Sequence, residues 1–435
     1  MSPILAVGAI INGIVLLQLG MGLLSALLPL RMQDAGFSSS EIGVLAAGFS
    51  GGFLIGCIYA PRLVRRIGHI RAFSTFATIL SALTLALAID TDLFLWTAAR
   101  LLSGFCFAGL LTVSDSWISS ETDRSVRGRV MSVYMILYKL AQAAGPLILT
   151  FAAIHGNWHF MLVSALFSLC LVPVALRHGG NPTPPSNARM GLVEVYRTTP
   201  LAVVGCLCVA TSNSALANLI PLYGVSTGLG VAGAAILSSA LQLGALFLQW
   251  PMGWASDKTD RRAVMIFGIA AMAAVSATIA LLPPMPLPVY IILIGITGGF
   301  GFSIYPIIVA HAGDFVEPAE MVPLCATLML AFSFGMTVGP LTGSLAMDLL
   351  GPKGLFLHAI VFSTIFVAFA LYRMSRRAAP VTLDRSSYVN VPASSTAISQ
   401  LDPRSPAPEI DETLEEAFGS ERDEDERPHY RHSEK

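Results

Sequence analysis

A chain of 435 residues that is 54% hydrophobic and only 12% charged, with a mean hydropathy of +0.69, lies outside the composition of soluble globular domains. Its net charge of −1 hides a split, because residues 1–375 hold 18 Lys and Arg against 14 Asp and Glu whereas 376–435 hold 8 against 13. The implied protein has a body that lives in a lipid bilayer and an acidic tail, with no basic field of the kind that holds nucleic acid.

Twelve apolar runs, each long enough to cross a bilayer as a helix, follow one another at 4–30, 41–64, 70–89, 93–119, 128–154, 158–177, 200–224, 231–255, 262–282, 287–311, 321–349 and 354–374. Met1-Ser2-Pro3 lacks a basic leader and the first run is far longer than a signal-peptide core, so an uncleaved first helix is expected. The six cysteines, Cys57, Cys106, Cys170, Cys206, Cys208 and Cys325, fall inside these runs without a CxxC pair. They read as small buried hydrophobes, and neither a disulfide, a metal site nor a cofactor is expected.

Basic residues alternate in side along the chain. One set of turns carries Arg62, Arg65, Arg66 and Arg71, then Arg124, Arg127 and Arg129, then Arg177, Arg189 and Arg197, then Lys258, Arg261 and Arg262, then Arg373, Arg376 and Arg377. The other set carries only Arg31 and Lys353, which predicts both termini in the cytoplasm. The turn with Asp314, Glu317 and Glu320 is an acidic exception on the inner side.

The body also repeats itself. Leu27-Leu28-Pro29-Leu30 matches Leu219-Ile220-Pro221-Leu222 at an offset of 192, and Gly104 with Gly145-Pro146 matches Gly298 with Gly339-Pro340 at 194. The expected organisation is a six-helix half at 1–177, a polar Pro-rich cytoplasmic linker at 178–199, a second half at 200–375, and a disordered tail at 376–435. Such paired halves place a solute site between them near the midplane.

Each half has a polar turn after its second run. Gly253-Trp-Ala-Ser-Asp257-Lys258-Thr-Asp260-Arg261-Arg262 resembles the loop signature G-x-x-x-D-[RK]-x-G-[RK]-[RK] of the major facilitator superfamily, with Asp260 in place of the second Gly. Its first-half copy keeps Arg66, Gly68 and Arg71 but has Pro61 for the leading Gly and Arg65 for the Asp. The short turn with Arg127-Gly128-Arg129 and the segment Asp115-Ser116-Trp117 look similar to a poorly characterised bacterial permease subfamily. The resemblance implies an all-α membrane protein of twelve helices in two pseudo-symmetric halves, without cofactor, moving a small solute by alternating access. It assigns inner gating to Gly253, Asp257, Lys258, Arg261 and Arg262, and in the first half to Arg66, Gly68 and Arg71. Arg65 replaces the motif's acid, so a latch of reversed sign is expected there, with Arg65 pairing with Asp314, Glu317 or Glu320, and Arg127 and Arg129 are expected at the same inner gate. Gly145-Pro146 and Gly339-Pro340 resemble the antiporter signature G-x-x-x-G-P-x-x-G-G, and helix bends are expected there.

Ionisable groups inside apolar runs are expensive, so each is a functional candidate. Arg100, heading the loose helix-4 pattern R-x-x-x-G that the superfamily associates with proton coupling, either faces the cavity or snorkels to the surface. Lys139 lies about twelve residues, or ~18 Å, from its inner end, too deep to snorkel. It should face the cavity or a carboxylate, with Tyr134, Tyr138 and Gln142 nearby. Asp115 is either a proton-accepting carboxylate or part of an inner ion-pair network. In the family the first, fourth, seventh and tenth helices line the cavity, which adds Asn12, Gln18, Asn213, Asn218, Tyr305 and His311; Gln242 and Gln249 are further buried amides. Each of these can instead be packing glue between helices.

No G-x-S-x-G, P-loop or H-E-x-x-H is present, so neither an enzyme nor an ATP-driven pump is expected. The reading is a monomeric, proton-coupled secondary transporter of the bacterial inner membrane whose solute is anionic or polar, because Arg100 and Lys139 outweigh Asp115 at depth. Multidrug or lipid-like efflux would instead demand a cavity rich in Phe and Met, and a transport-inactive sensor or scaffold would act through the tail.

Overall fold

The computed structural model describes residues 3–122, 127–151, 154–175 and 190–376. Arg124 of the fourth-to-fifth turn, most of the linker and the tail from 377 lie outside them. In the first half the helices are α1 Pro3–Asp34, α2 Ser39–Ile67, α3 His69–Ala86, α4 Leu93–Glu121, α5 Arg127–Leu147, α6 Trp158–Leu169 and α7 Leu171–Ala175. The short α8, Leu192–Thr198, leads into α9 Pro200–Ser226, α10 Gly230–Lys258, α11 Arg261–Leu281, α12 Leu287–Gly313, α13 Met321–Leu350 and α14 Gly354–Arg376. Among the described residues eleven helices are long and apolar enough to span a membrane.

Two runs differ from their sequence outline. The sixth is cut into α6 and α7 at Cys170, because Pro173 has no N–H to offer the Leu169 carbonyl four residues back and its ring crowds that carbonyl. The fifth ends at Leu147 in a 3-10 turn, Ile148–Thr150, rather than running on to 154.

The duplication is visible in how closely helices approach. A Cβ on Gly104 would strike the backbone carbonyl of Phe49, and one on Gly298 that of Leu241, so α4 meets α2 as α12 meets α10. In the same way Gly145 sits on Leu19 of α1, and Gly339 on Thr211 of α9. What the structure shows at Gly145 and Gly339 is therefore close packing by small residues. α13 stays helical through Pro340 to Leu350, while Pro146 leaves the Gln142 carbonyl without its helical donor, and Gly22 lets α1 close against that carbonyl.

The halves meet along α2 with α13 and α5 with α10. Helix directions define two ends: the linker end, where α2, α4, α10 and α12 finish, and the opposite end, where they begin. The opposite end is tied across the halves. Asp348 of α13 accepts hydrogen bonds from the backbone N–H groups of Ser39 (3.2 Å) and Ser40 (2.9 Å) and from the Ser40 hydroxyl, while Gln33 Nε2 donates to Ser226 Oγ at 3.3 Å. A carboxylate at the first turn of a helix answers both its free N–H groups and its dipole. The same turn is closed by a capping box, Ser38 N–H to Glu41 Oε2 at 2.8 Å and Glu41 N–H to Ser38 Oγ at 3.3 Å.

Candidate functional site

Between the halves lies a cavity of about 210 Å³. Eight helices contribute to its wall, α1, α2, α4 and α5 from the first half and α9, α10, α12 and α13 from the second, so it is wider in origin than the four helices expected. Arg100, Tyr138, Lys139, Gln142, Asn213, Asn218 and Tyr305 are all on it, as are Gln18, Gln242 and Gln249. None of its described lining residues is acidic.

Arg100 follows Leu93, the first residue of α4, by seven residues, and Lys139 precedes Leu147, the last of α5, by eight. At a rise of ~1.5 Å per residue both sit about 10–12 Å from the opposite end, on two helices that each pack against α1. Arg100 is 4% exposed, its guanidinium stacked 4.0 Å from the Phe49 ring centroid, and its Nε and Nη1 have no hydrogen-bond partner. Lys139 Nζ lies 5.0 Å from the ring centroid of Phe302, which belongs to the other half. Neither cation forms an ion pair with a described residue.

The remaining wall is made of amides and aromatic or thioether groups. Asn213 Nδ2 donates to Gly301 O and Asn218 Nδ2 to Ser214 O, each at 2.8 Å, which anchors both amides to backbone. Gln18 has both amide atoms buried without a partner, as has Oε1 of Gln142 and of Gln242. Phe49, Phe53, Phe107, Phe302 and Phe332 supply apolar surface together with Met21, Met135 and Met336. These rings had no signal in the sequence, where Phe is one apolar residue among many in every run.

Four residues expected at the cavity lie elsewhere. Asp115, fully buried, accepts a 2.9 Å hydrogen bond from the Tyr134 hydroxyl, and neither is on the lining. Tyr134 in turn meets Tyr138 edge-on at 6.0 Å, so Asp115 reaches the wall at second hand. His311 is buried at the linker end against the Phe315 ring, 5.2 Å away, because it occupies the last turn of α12. Asn12 is exposed on the surface of α1.

The linker-end turns show how the two loop motifs differ. In the second, Arg261 is buried and bridges Asp257 (3.7 Å) and Asp314 (3.4 Å), all within one half. Asp314, one of the three acids expected as a partner of Arg65, is paired with Arg261, because both sit where α11 starts beside the end of α12. Asp260 caps α11 by accepting from Arg262 N–H at 2.9 Å and holds the Arg262 side chain at 2.9 Å. An aspartate can thus replace the motif's second Gly: with φ −66° it needs no left-handed backbone. In the first half Gly68 does, at φ 84°. His69, the residue after it, places Nε2 2.9 Å from Ser116 Oγ, and that hydroxyl donates to Val113 O, leaving it to accept from His69. Gly253 is buried in α10, while Arg65, Arg66, Arg71, Arg129 and Lys258 are exposed at this end; Lys258 stacks 4.6 Å over Trp254. The Arg127 side chain lies outside the described residues.

A family model described as Major Facilitator Superfamily matches residues 10–241 and 202–408. The chain belongs to the major facilitator superfamily. It is 24% identical over 374 residues to the "Uncharacterized MFS-type transporter YcaD" of Salmonella typhi, covering 85% of this chain and 96% of that one, and equally close to its counterpart in Salmonella heidelberg. Solved structures share the fold: the nucleoside transporter NupG at a TM-score of 0.69, with 14% identity over 85% of this chain and 98% of that one, and a bacterial homologue of the human lysosomal transporter Spinster in an inward-facing, occupied conformation at 0.70, with 16% identity over 88% and 98%. As a member of this transporter superfamily the chain moves solute across a membrane and is not an enzyme.

Proposed function

We propose that this protein is a secondary transporter of small polar or anionic organic solutes, driven by the proton gradient and working by alternating access about the cavity between its halves. The observation that carries the reading is the wall itself: two cations, Arg100 and Lys139, and no carboxylate among its described residues. A buried charge without a protein partner is costly, and an anionic solute supplies the missing partner. The sequence set a cationic cavity against one rich in Phe and Met, and this wall has both, so a solute with an apolar body fits it better than a fully hydrated one.

The hydrogen bonds of Asp348 and Gln33 across the opposite end support a state closed there and open toward the linker. Basic residues crowd the linker end, Arg62, Arg65, Arg66 and Arg71 among them, against Arg31 and Lys353 at the other. That asymmetry supports a plasma-membrane monomer with both termini in the cytoplasm, its two halves at 1–177 and 200–375 rocking about the cavity. Asp115 is the proton acceptor in this scheme, joined to the wall through Tyr134 and Tyr138.

The test is uptake in proteoliposomes under an imposed pH gradient, with organic anions and cationic dyes side by side. Gradient-driven anion uptake that Lys139→Ala abolishes supports the proposal. Movement of cationic dyes indifferent to Lys139 replaces it with drug export.

A further inference from the structure

Within that wall the two cations are not equivalent. Lys139 is already engaged by the Phe302 ring of the other half, whereas Arg100 has Phe49 against one face of its guanidinium while Nε and Nη1 donate to nothing. Nε and Nη1 lie on opposite sides of the guanidinium, and each completes with Nη2 one edge of a planar fork. That is the geometry that takes two oxygens of one anion in parallel hydrogen bonds and that Arg262 shows with Nε and Nη2 on Asp260. Such a fork selects a carboxylate over a spherical ion. The guanidinium carbon lies 4.0 Å over the Phe49 ring, and Arg100 is on the cavity lining.

The surroundings restrict what the carboxylate is attached to. Phe53, Phe107, Phe302 and Phe332 are on the same wall as Arg100, with Met21 and Met336. Rings and thioethers reward an apolar body and cannot solvate a second charge.

Resting on the transport reading above, we propose that the solute is an amphipathic monocarboxylate, its carboxylate gripped edge-on by Arg100 and its aromatic or aliphatic body lodged among the phenylalanines. Lys139 then supplies long-range attraction and a second, weaker contact.

The test is thermal unfolding of the purified full chain in detergent, titrated with benzoate, phenylacetate and octanoate, with benzamide and octanamide as neutral isosteres, and with acetate and inorganic phosphate. The proposal expects the three large carboxylates to raise the midpoint and the amides to leave it unchanged. Acetate and phosphate should need far higher concentrations. Arg100→Lys, which keeps charge and approximate size but loses the fork, should weaken the carboxylates about ten- to a hundredfold, the worth of hydrogen bonds to a charged group. Lys139→Gln should weaken them less. Equal stabilisation by amides, equal stabilisation by phosphate, no response to any large carboxylate, or a response that Arg100→Lys leaves intact would each overturn it. Counterflow of radiolabelled benzoate in proteoliposomes separates this claim from the one beneath it. Arg100-dependent binding without counterflow sinks transport and keeps the seat, whereas movement of other solutes by a chain that binds no carboxylate sinks the seat and keeps transport.

Discussion

The second half of the molecule keeps its buried cation at the linker end, where Arg261 is held by Asp257 and Asp314. The first half keeps its cations in the cavity, where the buried Arg100 and the half-buried Lys139 have aromatic rings but no ion pair with a described residue. At the place equivalent to Arg261, offset by 192, the first half has His69 hydrogen-bonded to Ser116 beside the Trp117 ring. On one duplicated scaffold, then, paired charge builds the corner and unpaired charge is left for a solute. The same type of residue carries opposite consequences for stability and for function.

The largest effect that would break this comparison is at the paired corner. Asp314→Asn should destabilise the protein by about 2–3 kcal/mol, because Arg261 keeps the half-exposed Asp257 but loses its buried carboxylate partner; unfolding in detergent checks it, and an unchanged midpoint contradicts it. Next, Arg100→Gln should do the reverse, costing no stability while cutting solute uptake about tenfold or more, as expected for loss of a charged hydrogen bond. Asp348→Asn sharpens the account at the opposite end. Loss of its bonds to Ser39 and Ser40 should cost about 1–2 kcal/mol and shift population toward opening there roughly five- to thirtyfold. Spin labels at Asp90 and Lys353, exposed on the two halves of that end, would show longer separations. At the loop turns Gly68→Ala should cost a similar amount, roughly 1–2 kcal/mol, because its φ of 84° is left-handed, and the smallest effect is that of Asp260→Ala, about 1 kcal/mol for a lost N-cap.

How much of this was legible in the sequence depends on range. The spans and the two halves were, because apolar length and a fixed offset are one-dimensional properties; only Pro173 and the early end of α5 altered the outline. Arg100 and Lys139 stood out because a charge in an apolar run has few reasons to be there, and both reach the cavity. Partners were not legible. That Arg261 takes Asp314, or that Asp115 takes Tyr134, follows from which helix ends lie side by side. His311 failed for a related reason, since one turn at a helix end decides between wall and corner. The α2–α13 tie left half a trace: Ser38 and Glu41 announce a capping box, but nothing near Asp348 says which helix start it will meet.

The measurement closest to the central claim uses Ser25, a cavity-wall residue on α1, replaced by cysteine in a chain whose described natural cysteines are all buried. Its rate of reaction with a water-soluble maleimide would be followed as an organic anion is added. The account predicts that the anion slows labelling in the native background and does not in Arg100→Gln. Labelling that ignores the anion, or protection that survives loss of Arg100, would show that the solute is held somewhere else.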